Sequence, residues 1–113
     1  VCATEVVAAL DCGSNSTRLL IEDATGVVQR REMRITRLSQ GVDATRTLVD
    51  AAMARSYDVL GEYRRFMDEA RVDRGLLVAT SAVRDARNGE QFLREAARIT
   101  GVPAQLISGA QEA

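Results

Sequence analysis

The apolar residues of this chain change period twice, and that change limits its fold more than any other feature. Up to residue 38 they come in short runs or alternate. "EVVAALD" at 5–11 and "TRLLIED" at 17–23 are brief, β-prone and bounded by turn residues. Val27, Met33 and Ile35 alternate with Val28, Arg30, Glu32 and Arg34, which predicts a third strand over 27–38 with one wet face. From Val49 the period lengthens. Val49, Met53, Ser56, Leu60, Tyr63, Met67 and Ala70 recur at steps of three and four, which predicts one amphipathic helix over 48–70, about six turns at ~3.6 residues each. "GLLVATS" at 75–81 is again a continuous apolar run, as in a buried parallel strand. Phe92, Ala96 and Ile99 mark the inward stripe of a second helix over 89–100, and "AQLIS" at 104–108 is a last strand. The order is β-β-β-α-β-α-β. A meander followed by strand–helix alternation gives an α/β fold with a mixed five-stranded sheet and flanking helices.

The punctuation agrees with these elements. "ATG" at 24–26 is a turn in which Gly26 is free to take positive φ. "SQGVDATRT" at 39–47 is loop, and Thr47 with Asp50 opens the long helix. Asn88 is expected to cap the second helix, with Gln91 closing a capping box; Gly101 ends it and Pro103 prevents its continuation. Arg30, Arg31, Arg34 and Arg37 are expected on exposed positions of the third strand and on its edge.

Composition sets the outer bounds. The 113 residues suffice for one small domain, and 46% apolar residues allow a real core. At a net charge of −1 any anion binding must be local, through particular loops and arginines. All 15 basic residues are arginine, which suits bidentate phosphate contacts but also follows from codon bias. With no histidine, histidine-based triads and histidine metal sites are excluded within these residues. Cys2 and Cys12 form no disulfide framework, and Cys12 reads as a small buried hydrophobe. No apolar run is long enough to span a membrane and the first residues do not resemble a secretory leader, so a cytoplasmic protein is expected.

One stretch carries chemistry. In "ALDCGSNSTRLLI" two apolar strands are separated by Asp11, Cys12, Gly13, Ser14, Asn15, Ser16 and Thr17. A phosphate needs several donors converging at short range. Small residues let backbone N–H groups approach it, and hydroxyls add side-chain donors. Ionised Asp11 only accepts hydrogen bonds. It belongs beside a phosphate when a divalent cation sits between them, usually through water. The stretch is neither a Gly-Lys-Ser/Thr phosphate loop nor a Gly-x-Gly-x-x-Gly fingerprint. An ordinary hairpin accounts for the same residue types, and on composition alone it is the simpler account. Likewise "VRDARN" at 83–88 reads alone as a solvated turn with internally paired charges, and Glu112 as a terminal residue.

Taken in order, "ALDCGSNSTRLLI", "REMRITRLSQGVD", "LLVATSAVRDARN" and "LISGAQEA" resemble the exopolyphosphatase and guanosine pentaphosphate phosphohydrolase family, a branch of the actin-like (ribonuclease H-like) ATPase superfamily. The matches cover nearly the whole chain, which resembles the N-terminal part of such a protein. The resemblance implies that Asp11, Gly13, Ser14 and Asn15 form a first phosphate loop, with Asp11 toward Mg²⁺. It implies that Thr80, Ser81 and Arg84 line the same cleft, Arg84 holding a substrate phosphate. It assigns Glu112 as the catalytic base. Where the family usually has Glu-Glu-Ala, this chain has Gln111-Glu112-Ala113. A second phosphate loop and second domain of the family are not among these residues. The implied activity is hydrolysis of a terminal phosphoanhydride of polyphosphate or guanosine pentaphosphate. No nucleic-acid polymer or membrane is implied, and there is room for a homodimer of a longer parent. A sugar-kinase-like phosphotransferase and a non-enzymatic actin-like nucleotide-binding module are the rivals on the same fold.

Overall fold

A computed structural model describes residues 5–107. Strands β1 (Val6–Cys12), β2 (Ser16–Asp23) and β3 (Val28–Ile35) form the meander. A short helix α1 (Val42–Thr45) precedes the long helix α2 (Asp50–Ala70). Then come β4 (Arg74–Ala79), the short helix α3 (Ser81–Asp85), helix α4 (Gly89–Thr100) and β5 (Ala104–Leu106). The five strands lie in the order β3-β2-β1-β4-β5. β1 pairs antiparallel with β2 and parallel with β4, so the sheet is mixed as expected.

The side chains predicted to face inward do so. Met53, Ser56, Leu60, Tyr63 and Met67 on α2 are buried, as are Phe92 and Ala96 on α4, against Leu10, Leu19, Ile21 and Leu77 of the sheet. Tyr57 and Phe92 stack with ring centroids 5.4 Å apart and tie the two long helices together. Gly26 and Gly101 take φ of 84° and 73°, the left-handed conformations their turn and helix-end positions need.

Several boundaries and one face differ from expectation. β3 ends at Ile35, not at residue 38, because Thr36 and Arg37 turn to bond the β1–β2 hairpin. β4 stops at Ala79, and Thr80 and Ser81 leave the sheet to start α3. α2 begins after Val49 without a side-chain cap, so Thr47 does not open it. Asn88 makes no capping bond to α4; its carboxamide is engaged elsewhere.

The larger correction concerns β3. Arg30, Glu32 and Arg34 lie across from the buried Ile21, Leu19 and Thr17, on the side covered by α2. There Arg34 bridges Glu32 and Glu62, and the Arg30 guanidinium lies 4.0 Å over the Phe66 ring. Arg30 and Arg34 are therefore half-buried, whereas Arg31 and Arg37 are exposed as expected. Met33 and Ile35 face the other way and are 49% and 51% exposed. The wet face of this edge strand thus carries Met33 and Ile35 together with Arg31. α2 meets β3 through Glu62 and Phe66, which long arginine stems reach better than short aliphatic side chains do.

Burial leaves a signature at high pH. Cys12 is 1% exposed, and desolvation with the neighbouring Asp11 charge raises its thiol from 9.0 to about 12. Desolvation also raises the Tyr63 phenol, which donates to Thr17 O at 2.7 Å, from 10.0 to about 12. Both groups stay protonated in the fold where the unfolded chain would ionise. Their contribution is thus fully present below pH 9 and lost as pH rises from about 9 toward 12. The urea midpoint is expected to fall across that window, with Cys12 unmodified by iodoacetamide in the native protein at pH 8, as peptide mapping would show. Native labelling faster than unfolding would contradict the burial of Cys12.

Candidate functional site

β1, β4 and β5 are parallel, and Cys12, Ala79 and Leu106 share one row across them. The chain therefore leaves three neighbouring strands at the same end of the sheet. In open α/β sheets this carboxyl end is where ligands bind. Residues 13–15 leave β1 there, and Thr80 and Ser81 leave β4 there.

The β1–β2 hairpin is built tightly. Gly13 N–H donates to Ser16 O at 3.0 Å. A Cβ on Gly13 would lie 3.2 Å from that same oxygen, so a larger residue would push the turn open. The following segment then clasps the hairpin. Thr36 and Arg37 N–H both donate to Asn15 O at 3.1 and 3.0 Å, and Ser39 N–H donates to Ser14 O at 3.0 Å. With these carbonyls engaged, the hairpin's acceptors are turned into the protein. Arg55 braces the clasp by donating from Nε to Thr36 O at 2.9 Å and from Nη2 to Gln40 Oε1. Beneath it the Thr17 and Thr36 hydroxyls meet at 2.9 Å, fully buried. Sequence spacing gave no signal for Thr36, Ser39 or Arg55, because each acts through backbone groups that the topology brings near.

The hairpin meets the second segment through side chains. Ser14 Oγ and Ser81 Oγ lie 2.9 Å apart, although 67 residues separate them. Thr80 N–H reaches Cys12 O at 3.4 Å, which fixes the exit from β4 against the exit from β1. Three residues beyond Ser81, Arg84 donates from Nη1 to Ile107 O at 3.2 Å, with its Nε 3.9 Å from Asp85 Oδ1. Arg84 thus sits beside the end of β5 while remaining exposed. Asp11, in the row before Cys12, faces the sheet side opposite α2 and lies across from Arg18. Glu112 lies outside the described residues.

The donor set suits a phosphate: hydroxyls of Ser14 and Ser81, a glycine turn that admits close approach, and one guanidinium. Among the described residues no three Asp, Glu or Cys side chains gather as a metal cage. Mg²⁺ does not require one, since it keeps several waters and takes one or two carboxylates plus phosphate oxygens. Asp11 alone beside the hairpin fits that mode of binding.

The profile of the Ppx/GppA phosphatase family matches residues 22–113. The chain is 41% identical over 119 residues to exopolyphosphatase 2 of Mycobacterium tuberculosis strain H37Rv, covering 95% of this chain and 37% of that protein. It superposes on the crystal structure of the Aquifex aeolicus Ppx/GppA family member with a TM-score of 0.88 at 36% identity, covering 96% of this chain and 36% of that one. On a Cytophaga hutchinsonii exopolyphosphatase the TM-score is 0.89 at 26% identity, covering 96% and 36%. The chain therefore spans little more than a third of the length of the relatives it matches. The fold is the actin-like α/β fold. With the profile matching most of the chain and 96% of it superposing on a solved member, the chain belongs to the Ppx/GppA phosphatase family.

Proposed function

We propose that these residues are the N-terminal lobe of a longer hydrolase that removes the terminal phosphate of inorganic polyphosphate, with guanosine pentaphosphate as a second substrate ending in the same phosphoanhydride. The observation that carries the proposal is the 2.9 Å contact of Ser14 and Ser81, which joins the two motif segments into one cradle. The name of the tuberculosis relative, exopolyphosphatase 2, supports polyphosphate as substrate. One further feature supports a longer parent: the chain covers 37% of that relative.

In this reading Gly13 keeps the turn tight enough for close approach, Ser14 and Asn15 donate to the terminal phosphoryl group, Ser81 adds a hydroxyl and Arg84 a positive charge. Asp11 would hold Mg²⁺ through water, and the metal would supply positive charge to the phosphoryl oxygens. Glu112 accepts the proton of the attacking water and orients it in line. No covalent intermediate is required, and catalysis is positioning plus electrostatics. The cytoplasm is the compartment proposed for such substrates.

A phosphate gripped by one lobe alone should not turn over. Residues 1–113 are expected to release no phosphate from polyphosphate with Mg²⁺, whereas the full-length parent does. Phosphate release by the purified fragment above an Asp11→Ala control would show that the site is complete within this chain. Failure of the parent to release phosphate from either substrate would refute the hydrolase reading.

A further inference from the structure

Asn88 is not the helix cap that its place before α4 suggests. Its Oδ1 accepts from Leu48 N–H at 2.8 Å and its Nδ2 donates to Leu48 O at 3.0 Å, so one carboxamide grips both backbone groups of a residue 40 positions away. The neighbouring Arg87 N–H donates to Arg46 O at 2.8 Å. Leu48 itself is 2% exposed, so the gripped backbone is anchored in the core.

These bonds close a ring. The hairpin carbonyls of Ser14 and Asn15 are held by residues 36–39. The same chain runs on through α1 to Arg46 and Leu48, which are held by Arg87 and Asn88. Residues 80–88 lead back to Ser81, whose hydroxyl meets Ser14. Arg84 lies midway along this last arc, pinned at one end by Ser81 and at the other by Asn88. There is little slack between the pins: a Cβ on Gly89 would stand 2.2 Å from Val83 O.

We infer that Asn88 is a positioning residue for substrate phosphate: by clamping the Leu48 backbone it fixes the 80–88 arc, and with it the reach of Arg84 to the hairpin. It touches no substrate itself. The inference rests on the phosphate role of Arg84 proposed above, and it adds the device that holds Arg84 in place. A released arc must be re-ordered when the phosphate binds, and that cost appears in binding.

The test uses the full-length parent, inorganic polyphosphate of defined length and steady-state phosphate release. Asn88→Ala is expected to raise KM about tenfold, with a smaller change in kcat. Asn88→Asp keeps the acceptor for Leu48 N–H but loses the donor to Leu48 O, and is expected to lie between Asn88→Ala and the native protein. It carries the test if Asn88→Ala does not fold. A residue that only stabilises the fold would leave KM unchanged in the folded variant. The decisive reading is the double variant. In an Arg84→Ala background, Asn88→Ala should raise KM by less than about twofold, because the side chain it positions is gone. An equal effect in both backgrounds overturns the inference, as does a native KM for folded Asn88 variants while Arg84→Ala raises KM. A native KM for Arg84→Ala itself instead refutes the phosphate role of Arg84.

Discussion

Replacing Glu112 with Gln in the full-length parent is expected to lower kcat by about 10²–10⁴-fold while KM stays nearly unchanged. Gln keeps the size and the hydrogen bonding of the side chain but cannot take the proton of the attacking water. Substrate in the ground state carries no such proton transfer, so its binding should survive. The loss should persist across pH, because no titration of Gln restores a base. Steady-state phosphate release from polyphosphate with circular dichroism of the variant checks both points. A folded Glu112→Gln protein with near-native kcat would remove Glu112 from the chemistry and leave only the cradle at the hairpin.

Arg84→Ala should behave differently. Its guanidinium is proposed to meet the phosphate before and during reaction, so both KM and kcat/KM should suffer. A hydrogen bond to a charged group is worth about 1.5–3 kcal/mol, roughly ten- to 150-fold in kcat/KM. Arg84→Lys should recover only part of this, since an ammonium cannot reproduce the planar fork. In the fold Arg84 already donates to Ile107 O, so its side chain is partly placed before substrate arrives. If Arg84→Ala leaves KM and kcat unchanged in a folded protein, the contact with Ile107 is its whole function.

Much of the fold was legible because it rests on one-dimensional periodicity. The 3.6-residue recurrence from Met53 to Met67 needs no partner to be recognised, and α2 lies where it predicts. The hairpin was legible for a related reason: turn residues between two apolar runs admit few other structures. β3 was misread because its pattern depends on what covers it. Arg30, Glu32 and Arg34 read as the solvent side, yet they face α2, where Glu62 and Phe66 compensate their charge. Those partners are 28 or more residues away, and no local pattern announces them.

The site divides along the same line. Gly13, Ser14 and Asn15 stand out by composition, but an ordinary hairpin would use the same residues. Ser81 and Arg84 had no signal beyond the family resemblance, because the 2.9 Å meeting of Ser14 and Ser81 is a product of β1–β4 pairing. Asn88 shows the hazard of a local rule. An Asn before a helix reads as a cap, but here the backbone of Leu48 offers it two hydrogen bonds and takes the side chain away.

The central claim is that the β1–β2 hairpin and the turn after β4 together hold the substrate's terminal phosphate. A crystal structure of the catalytically impaired Glu112→Gln parent with tripolyphosphate and Mg²⁺ tests it most directly. The account predicts the terminal phosphoryl group against the Gly13 turn and within hydrogen-bonding distance of the 14–15 donors, the Ser81 hydroxyl and the Arg84 guanidinium, with the metal on the Asp11 side. Tripolyphosphate bound elsewhere, with the 13–15 hairpin and Arg84 making no contact to it, would contradict the account.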